Sequence, residues 1–443
     1  MAETTGSESV STKLDRVAKL AREDPARVLT SLCHYIDLAL MREAYRLTRK
    51  DGARGVNDGG AEEFAKNLEG NFRSLLDRAH AGTYRAPPVR RVHIPKSDGT
   101  TRPLGIPTFE DKVLQRAVAM VLGAVYEQDF LDCSYGFRPK RSAHDAEDAL
   151  WKGLMDMGGG WVVEVDIKKF FDTLDHTHLR ETLRKRVRDG VILRLIGKWL
   201  NAGVMEDGAI SHPETGSPQG GVISPLLANV YLHEVLDVWF HQDVLPRLEG
   251  KAFLVRYADD FVIACSRRDD ALRIMDVLPK RFGKYGLTLH PQKTRLVCFK
   301  RPWRRGPDDD DRPGGPEPGT FDFLGFTHHW DETRKTLRMV VKVRTARDRF
   351  TDKLRRITDW CRANRHEPLA TQARALGAKL RGHFNYYGRT GNYDALARFR
   401  YEVVLIWRKW LGRRSQRADV TWERMGQILQ HHPLPVAHIR APA

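Results

Sequence analysis

Long apolar runs are missing from this chain of 443 residues: no stretch reaches the roughly 18 residues that a membrane-spanning helix requires. The start, MAETTGSESVSTKLDR, also lacks the basic-then-apolar order of a secretory signal, so a soluble, intracellular protein is expected. Cysteine is scarce. Cys33, Cys133, Cys265, Cys298 and Cys361 lie far apart with no Cys-x-x-Cys among them, which argues against a zinc site or redox pair and leaves reduced thiols, mostly in cores. The pairs His328-His329 and His431-His432 have no cysteine at zinc-ligand spacing. Acidic residues thin out towards the end: from Val340 onward 22 Lys and Arg face 8 Asp and Glu, so +14 of the chain's +17 lies there. A cationic C-terminal unit on a nearly neutral body calls for a polyanionic partner, and inside a cell that is usually nucleic acid.

Hydrophobic residues make up 41% of the chain, enough for ordinary cores, and the length points to two or three units packed together. After a polar first dozen residues, expected to be disordered, 14–50 carries apolar positions at helical spacing. The glycine-rich DGARGVNDGG breaks that pattern and 61–80 resumes it. In YRAPPVRRVHIPKSDGTTRPLGIP, short β-prone pieces punctuated by proline and by Asp98-Gly99 predict a basic hairpin. Helices are expected over 109–126, 142–157, most of 172–200, 226–240 and again beyond Val340, where Phe350, Leu354, Ile357 and Cys361 recur at helical intervals. Strands and a late hairpin between helices predict an α+β fold with a sheet domain of roughly 250 residues. RRGPDDDDRPGGPEPG, at 304–319, reads as a mobile solvated loop despite its four aspartates.

The chemistry concentrates in FLVRYADDFVIAC, residues 253–265, where two apolar runs flank adjacent aspartates. That pattern predicts a hairpin with Asp259 and Asp260 together at its tip. An Asp-Asp pair alone is equally good turn chemistry. A third carboxylate changes the balance: WVVEVDIKKFF, residues 161–171, delivers Asp166 near the end of a strand. Adjacent carboxylates repel unless a cation neutralises them, and an oxygen-rich cradle of this kind suits Mg²⁺. Such a cradle serves in-line phosphoryl transfer by two metal ions.

Seven segments in order, RPLGIP, SYGFRPKRSAHDA, EVDIKKFFDTLDH, GSPQGGVISPLLANVYL, RYADDF, GLTLHPQKT and FDFLGF, resemble the reverse transcriptases and maturases encoded by group II introns. The resemblance runs from about Gly52 into the C-terminal region, where FNYYG and SQRADVTWERM look like the family's thumb or maturase domain and tail. It implies a right-hand polymerase with an antiparallel palm sheet. The implied divisions are an N-terminal helical extension (1–80), fingers (81–160), palm (161–338), a basic helical thumb or maturase domain (339–420) and a tail (421–443). Asp166, Asp259 and Asp260 match the catalytic carboxylates that hold two Mg²⁺ ions, with Mn²⁺ as a substitute, and Ile167 lends only its backbone carbonyl. Lys96 and Arg102 match residues that grip the triphosphate, whose leaving pyrophosphate needs cations as its charge grows. Gln219, in the glycine-rich GSPQGG, can hydrogen-bond template or nucleotide. Phe170 or Phe171 resembles the bulky residue that excludes a ribose 2′-hydroxyl, with Phe170 favoured. Lys293 matches a lysine that protonates or neutralises the departing pyrophosphate.

The implied partners are an RNA template, a DNA or RNA primer, dNTPs and group II intron RNA, with no membrane. The implied setting is the cytoplasm of a bacterial-type cell, beside nucleoid or ribonucleoprotein. Arg355, Arg356, Arg408, Lys409, Arg413 and Arg414, interleaved with Trp360, Tyr386, Tyr387 and Trp407, offer cations for a phosphate backbone and rings for unpaired bases, although more than half of those rings are expected in the core. Two alternatives stay open: an RNA-binding splicing factor with incidental polymerase, and a reverse transcriptase serving host defence or repair. The paired cysteines and histidines of the nuclease domain carried by many family members have no counterpart after Val420, so second-strand cleavage is not expected.

Overall fold

The computed structural model describes residues 2–57, 59–95, 99–206, 208–211, 216, 220–302, 318–333, 336–415 and 419–439. They form two compact units, one of residues 1–150 and 165–295, the other of 151–164 and 296–443. The boundary at 295 falls inside the stretch expected as one palm.

The first unit opens with α1 (Ala2–Glu23), which extends through the expected disordered dozen, and α2 (Leu38–Leu47), capped by the Asp37 side chain on Leu40 N. Where one helix is expected over 61–80 there are two, α3 (Ala61–Ala65) and α4 (Leu68–His80). The basic hairpin forms as β1 (Val89–Pro95) and β2 (Thr101–Ile106), antiparallel with Ile94 opposite Arg102. It is followed by α5 (Phe109–Tyr126), whose Val113, Leu114, Ala117, Val118, Val121, Leu122 and Val125 are all sealed from solvent. A helix apolar on so many faces belongs in the middle of a unit, and α1 and α2 both pack against it. Next come α6 (Ala143–Met157) and β3 (Gly159–Val165). The span 170–200 breaks into α7 (Phe170–Thr173), α8 (His176–Arg186) and α9 (Gly190–Leu200). Asp189 caps α9 and also accepts from Leu32 N and Cys33 N at 2.7 and 2.8 Å, while Arg186 binds Asp129 and the carbonyls of Asp24 and Arg27. Two charged side chains thus tie the N-terminal segment down.

Short β4 (Val204–Glu206) and β5 (Ala209–Ser211) complete a sheet of order β2-β1-β4-β5, mixed because β1 and β4 run parallel. The helix expected over 226–240 is α10 (Ser224–Leu232), continued by wider π-helical turns at His233–Val238 and Phe240–Val244. After them come the hairpin β6 (Ala252–Tyr257) and β7 (Asp260–Cys265), then α11 (Arg268–Lys284).

The second unit pairs β3 with β8 (Arg295–Lys300) and contains an antiparallel sheet of β9 (Phe321–Phe323), β10 (Phe326–Glu332) and β11 (Met339–Thr345). The expected helix beyond Val340 therefore begins only after a strand. Trp330 Nε1 donates to Phe299 O at 2.9 Å and Trp151 Nε1 to Val341 O at 2.9 Å. Then α12 (Arg347–Ala363), α13 (Leu369–Tyr387), α14 (Tyr393–Leu411) and α15 (Trp422–His431) close around Ile357, Leu376, Leu380, Phe384, Val403 and Trp407. The stretch expected as a tail belongs to that core, since Met425, Ile428 and Leu434 are buried in it. Both units are α+β. All five cysteines are unpaired thiols. No helix among the described residues is long and apolar enough to cross a membrane. The aspartate-rich loop lies, for residues 303–317, outside the described residues.

Candidate active site

The hairpin pairs Tyr257 with Asp260, which leaves Ala258 and Asp259 as a two-residue turn. Ala258 takes φ 58°, a left-handed value that alanine adopts only when its surroundings impose it. Buried Gly136 presses on that turn: a Cβ at 136 would stand 2.3 Å from Ala258 N. Asp259 is half-buried. Desolvation pushes its carboxyl above the usual range and nearby Asp166 adds to this, while a backbone hydrogen bond, Arg102 and Arg256 oppose it. Asp260 is exposed at the start of β7.

Asp166 sits one residue beyond β3, fastened by its own backbone. His290 N donates to Asp166 O at 2.8 Å and Lys168 N to Thr288 O at 2.8 Å, so Ile167 faces Leu289 between two bonds that leave its own carbonyl unused by the bridge. A turn follows, with Lys293 N and Thr294 N on His290 O, and it brings Lys293 Nζ to 3.2 Å from Asp166 Oδ2. The sequence motif around Lys293 thus reaches the carboxylates through the backbone.

A cavity of about 290 Å³ is lined by Arg102, Phe137, Phe171, Gly220, Asp259 and Asp260 among others. Gly220 has φ 113° and lies against the hairpin strand β2, where a Cβ would meet Gly105 O at 2.7 Å. Gln115 of α5 accepts from Val222 N and Ile223 N, holding the end of the same loop. Lys96 and Gln219 lie outside the described residues. Of the two gate candidates both are buried, Phe170 at 2% and Phe171 at 7% exposure, and Phe171 is the one that lines the cavity. Lys169, with φ 49°, precedes α7 as its N-cap residue. No cluster of three or more Asp, Glu, His or Cys able to hold an ion occurs among the described residues. Lys293 is the ion-pair partner of Asp166.

Two residues that sequence reasoning passed over now stand out. Phe137, with φ 60° and 58% exposed, presents its ring at the cavity. Arg256 is wholly buried beneath the turn. An arginine inside an apolar strand was the available signal for the second; for the first, nothing separates an exposed ring in SYGFRP from a core one.

Residues 94–328 match the reverse transcriptase (RNA-dependent DNA polymerase) family. The chain belongs to that family. The resemblance read from the ordered motifs is borne out, and the matched span contains the cavity and all three aspartates. Protein YkfC of Escherichia coli is 35% identical over 282 residues, 56% of this chain and 74% of that protein. The group II intron-encoded protein LtrA of Lactococcus lactis subsp. cremoris is 38% identical over 228 residues, 50% of this chain and 37% of LtrA. The putative COX1/OXI3 intron 1 protein of Saccharomyces cerevisiae is 28% identical over 273 residues, 51% and 32% of the two chains. The match thus spans well under half of these two intron proteins.

In a reverse transcriptase the basic second unit is where nucleic acid is expected, and its cations divide. Arg414 donates to the carbonyls of Arg365 and Glu367 at 2.6 and 2.7 Å, holding a loop. Arg355 and Arg356 share Asp352, and the Arg408 guanidinium stacks 4.3 Å from the Trp422 ring centre. Lys409 and Arg413 lie over Trp410 at 5.9 and 5.4 Å. Of the four rings named from the sequence, Trp407 and Tyr387 are buried in the core, and Trp360 and Tyr386 lie against it. Among the described residues of this unit the exposed large aromatic rings are Trp151, Tyr393, Tyr401 and Trp422.

Proposed function

We propose that this chain extends a DNA or RNA primer with dNTPs on an RNA template, and that it binds group II intron RNA and assists its splicing and mobility. The observation that carries the reading is one cavity faced by Asp259, Asp260 and Arg102, with Asp166 close enough to influence Asp259, inside the family-matched span. Fingers, palm and thumb would be drawn from 81–160, 161–338 and 339–420, with 421–443 folded back on the thumb and 1–80 as an N-terminal extension.

The donor set fits magnesium: hard carboxylate oxygens, one of them in a carboxyl whose burial disfavours its charge until a cation arrives. Asp166, Asp259, Asp260 and the Ile167 carbonyl would hold two Mg²⁺ ions, or Mn²⁺ in their place, which supply Lewis-acid charge for attack by the primer hydroxyl and departure of pyrophosphate. Arg102, with Lys96, grips the triphosphate. Lys293, ion-paired with Asp166, would protonate or neutralise the departing pyrophosphate. Phe171, which lines the cavity, would exclude a ribose 2′-hydroxyl by a clash, and Gln219 would hydrogen-bond template or nucleotide. Arg355, Arg356, Arg408, Lys409 and Arg413 meet the phosphate backbone, with Arg414 shaping the loop beside them.

Primer extension on an RNA template with dNTPs and Mg²⁺ tests the proposal. Replacing Asp259 and Asp260 together by Ala should abolish synthesis while leaving RNA binding intact; synthesis surviving that change contradicts the site.

A further inference from the structure

The site just described stands on a charged assembly that no step of the chemistry uses. Arg256, the residue before the catalytic tetrad Tyr257-Ala258-Asp259-Asp260, is fully buried, and so is Asp237. Its five N–H donors meet five acceptors: Nε reaches Asp237 Oδ1 at 2.8 Å, Nη2 reaches Asp237 Oδ2 at 2.5 Å and Ser134 Oγ at 2.7 Å, and Nη1 reaches Asn229 Oδ1 and Ala258 O, each at 3.0 Å. Asn229 Nδ2 in turn donates to Gly136 O at 2.7 Å. Arg256 N donates to Cys133 O and Tyr135 N to Arg256 O, so residues 133–136 run beside the strand and bring Gly136 against the turn. Asp237 comes from the π-helical stretch after α10, a wide turn of the kind that often marks functional positions.

We infer that Arg256 is a positioning residue for catalysis, fixing through the Ala258 carbonyl the place at which Asp259 presents its carboxylate. The inference rests on the polymerase reading above. A buried ion pair is weak evidence of stability, because well-packed apolar residues commonly replace one without loss. What apolar residues cannot do is hold a carbonyl. Ala258 keeps its left-handed conformation because Arg256 takes its oxygen from one side and Gly136 closes on its nitrogen from the other. Asn229 links the two restraints, so turn, strand β6 and the 133–136 segment form one hydrogen-bonded frame. The guanidinium also lies close enough to Asp259 to favour its ionised form.

The test uses the full chain in three versions: unaltered, Arg256→Lys, and the neutral pair Arg256→Met with Asp237→Leu. Arg256→Lys keeps the charge opposite Asp237 but its single ammonium cannot reach five acceptors. Three readouts are taken: urea unfolding, Mn²⁺ binding from the electron paramagnetic resonance signal of free ion, and kcat and KM for dNTP in primer extension. The expected result is folded protein with Mn²⁺ bound at least tenfold more weakly, kcat down at least 100-fold in the neutral pair and tenfold in Arg256→Lys, and KM for dNTP changed less than threefold. Either variant folding with kcat and Mn²⁺ affinity within threefold of the unaltered chain overturns the inference. If the neutral pair does not fold, Arg256→Lys decides alone. An unaltered chain that neither extends a primer nor binds Mn²⁺ instead refutes the polymerase reading.

Discussion

Gly136→Ala adds one methyl group and tests how tightly the catalytic turn is held. Gly136 does not have a positive φ, so alanine meets no backbone strain there and the whole effect is spatial. The new Cβ would lie 2.3 Å from Ala258 N and 3.0 and 3.1 Å from Tyr257 C and Ala258 Cα, against ordinary contact from 3.4 Å outward. Something must therefore move by about 1 Å, and every obstructing atom is backbone of the turn itself. The segment bearing 136 is held by Asn229 on its carbonyl and by the Arg256 backbone on either side, so the turn is the part that gives. Overpacking of this kind costs about 1–3 kcal/mol of stability. A displacement of about 1 Å at a catalytic group costs on the order of 100-fold in rate. The assay is single-nucleotide primer extension at saturating dNTP, with urea unfolding alongside. Gly123→Ala, in helix α5 with nothing within 4 Å of the new methyl, is the control and should be stabilising by about 0.5–1 kcal/mol at full activity. Gly136→Ala with kcat within threefold of the unaltered chain would refute the reasoning, since the turn would then have absorbed the methyl without moving Asp259.

Asp111, buried in α5 beside the Tyr84 hydroxyl, has its carboxyl pushed up to about 7 by desolvation. A raised folded value means stability present at low pH and lost as pH rises from 3.8 through 7, at about 1.4 kcal/mol per unit, and Asp111→Asn should flatten that slope in urea titrations. Phe171→Ala should relax discrimination between ribo- and deoxyribonucleotides at least tenfold in kcat/KM, with some loss of stability because Phe171 is only 7% exposed. Phe170→Ala should instead cost about 3–5 kcal/mol with discrimination unchanged, and the reverse pattern would return the gate to Phe170. His383, stacked 3.8 Å from Phe399 with neither ring nitrogen hydrogen-bonded, is held down to about 3 by burial. Its depressed value means stability lost as pH falls from 6.5 towards 3, so His383→Phe should remove that acid slope in circular-dichroism melts.

What could be read from the residues divides by how far the cause lies along the chain. Two apolar runs around Asp259-Asp260 declare a hairpin because alternation and turn chemistry are local, and α5 appears at 109–126 because its apolar residues and its Thr108 cap are neighbours. The gate stays undecided in the residues for an equally local reason acting the other way. Phe170 and Phe171 are adjacent in a helix of four residues, too short for any period to choose between them. The rings of Trp407 and Tyr387 were offered to bases because their helices carry arginine nearby, yet both helices lie among others and bury more than one face. The three carboxylates come from separate stretches, Asp166 just after β3 and Asp259-Asp260 at the hairpin turn, so no local pattern states how far apart they stand. Arg256 is the extreme case. Its acceptors are 2, 19, 27 and 122 residues away, so no window of sequence contains them. A charge inside an apolar strand nonetheless carries its own warning, since it cannot stay buried without partners. The search for those partners leads from the catalytic turn to Asp237, Asn229 and Ser134, residues in motifs that would otherwise pass as helix and loop. The chemistry of this site is written in a few adjacent letters, and the accuracy with which it is aimed is written in distant ones.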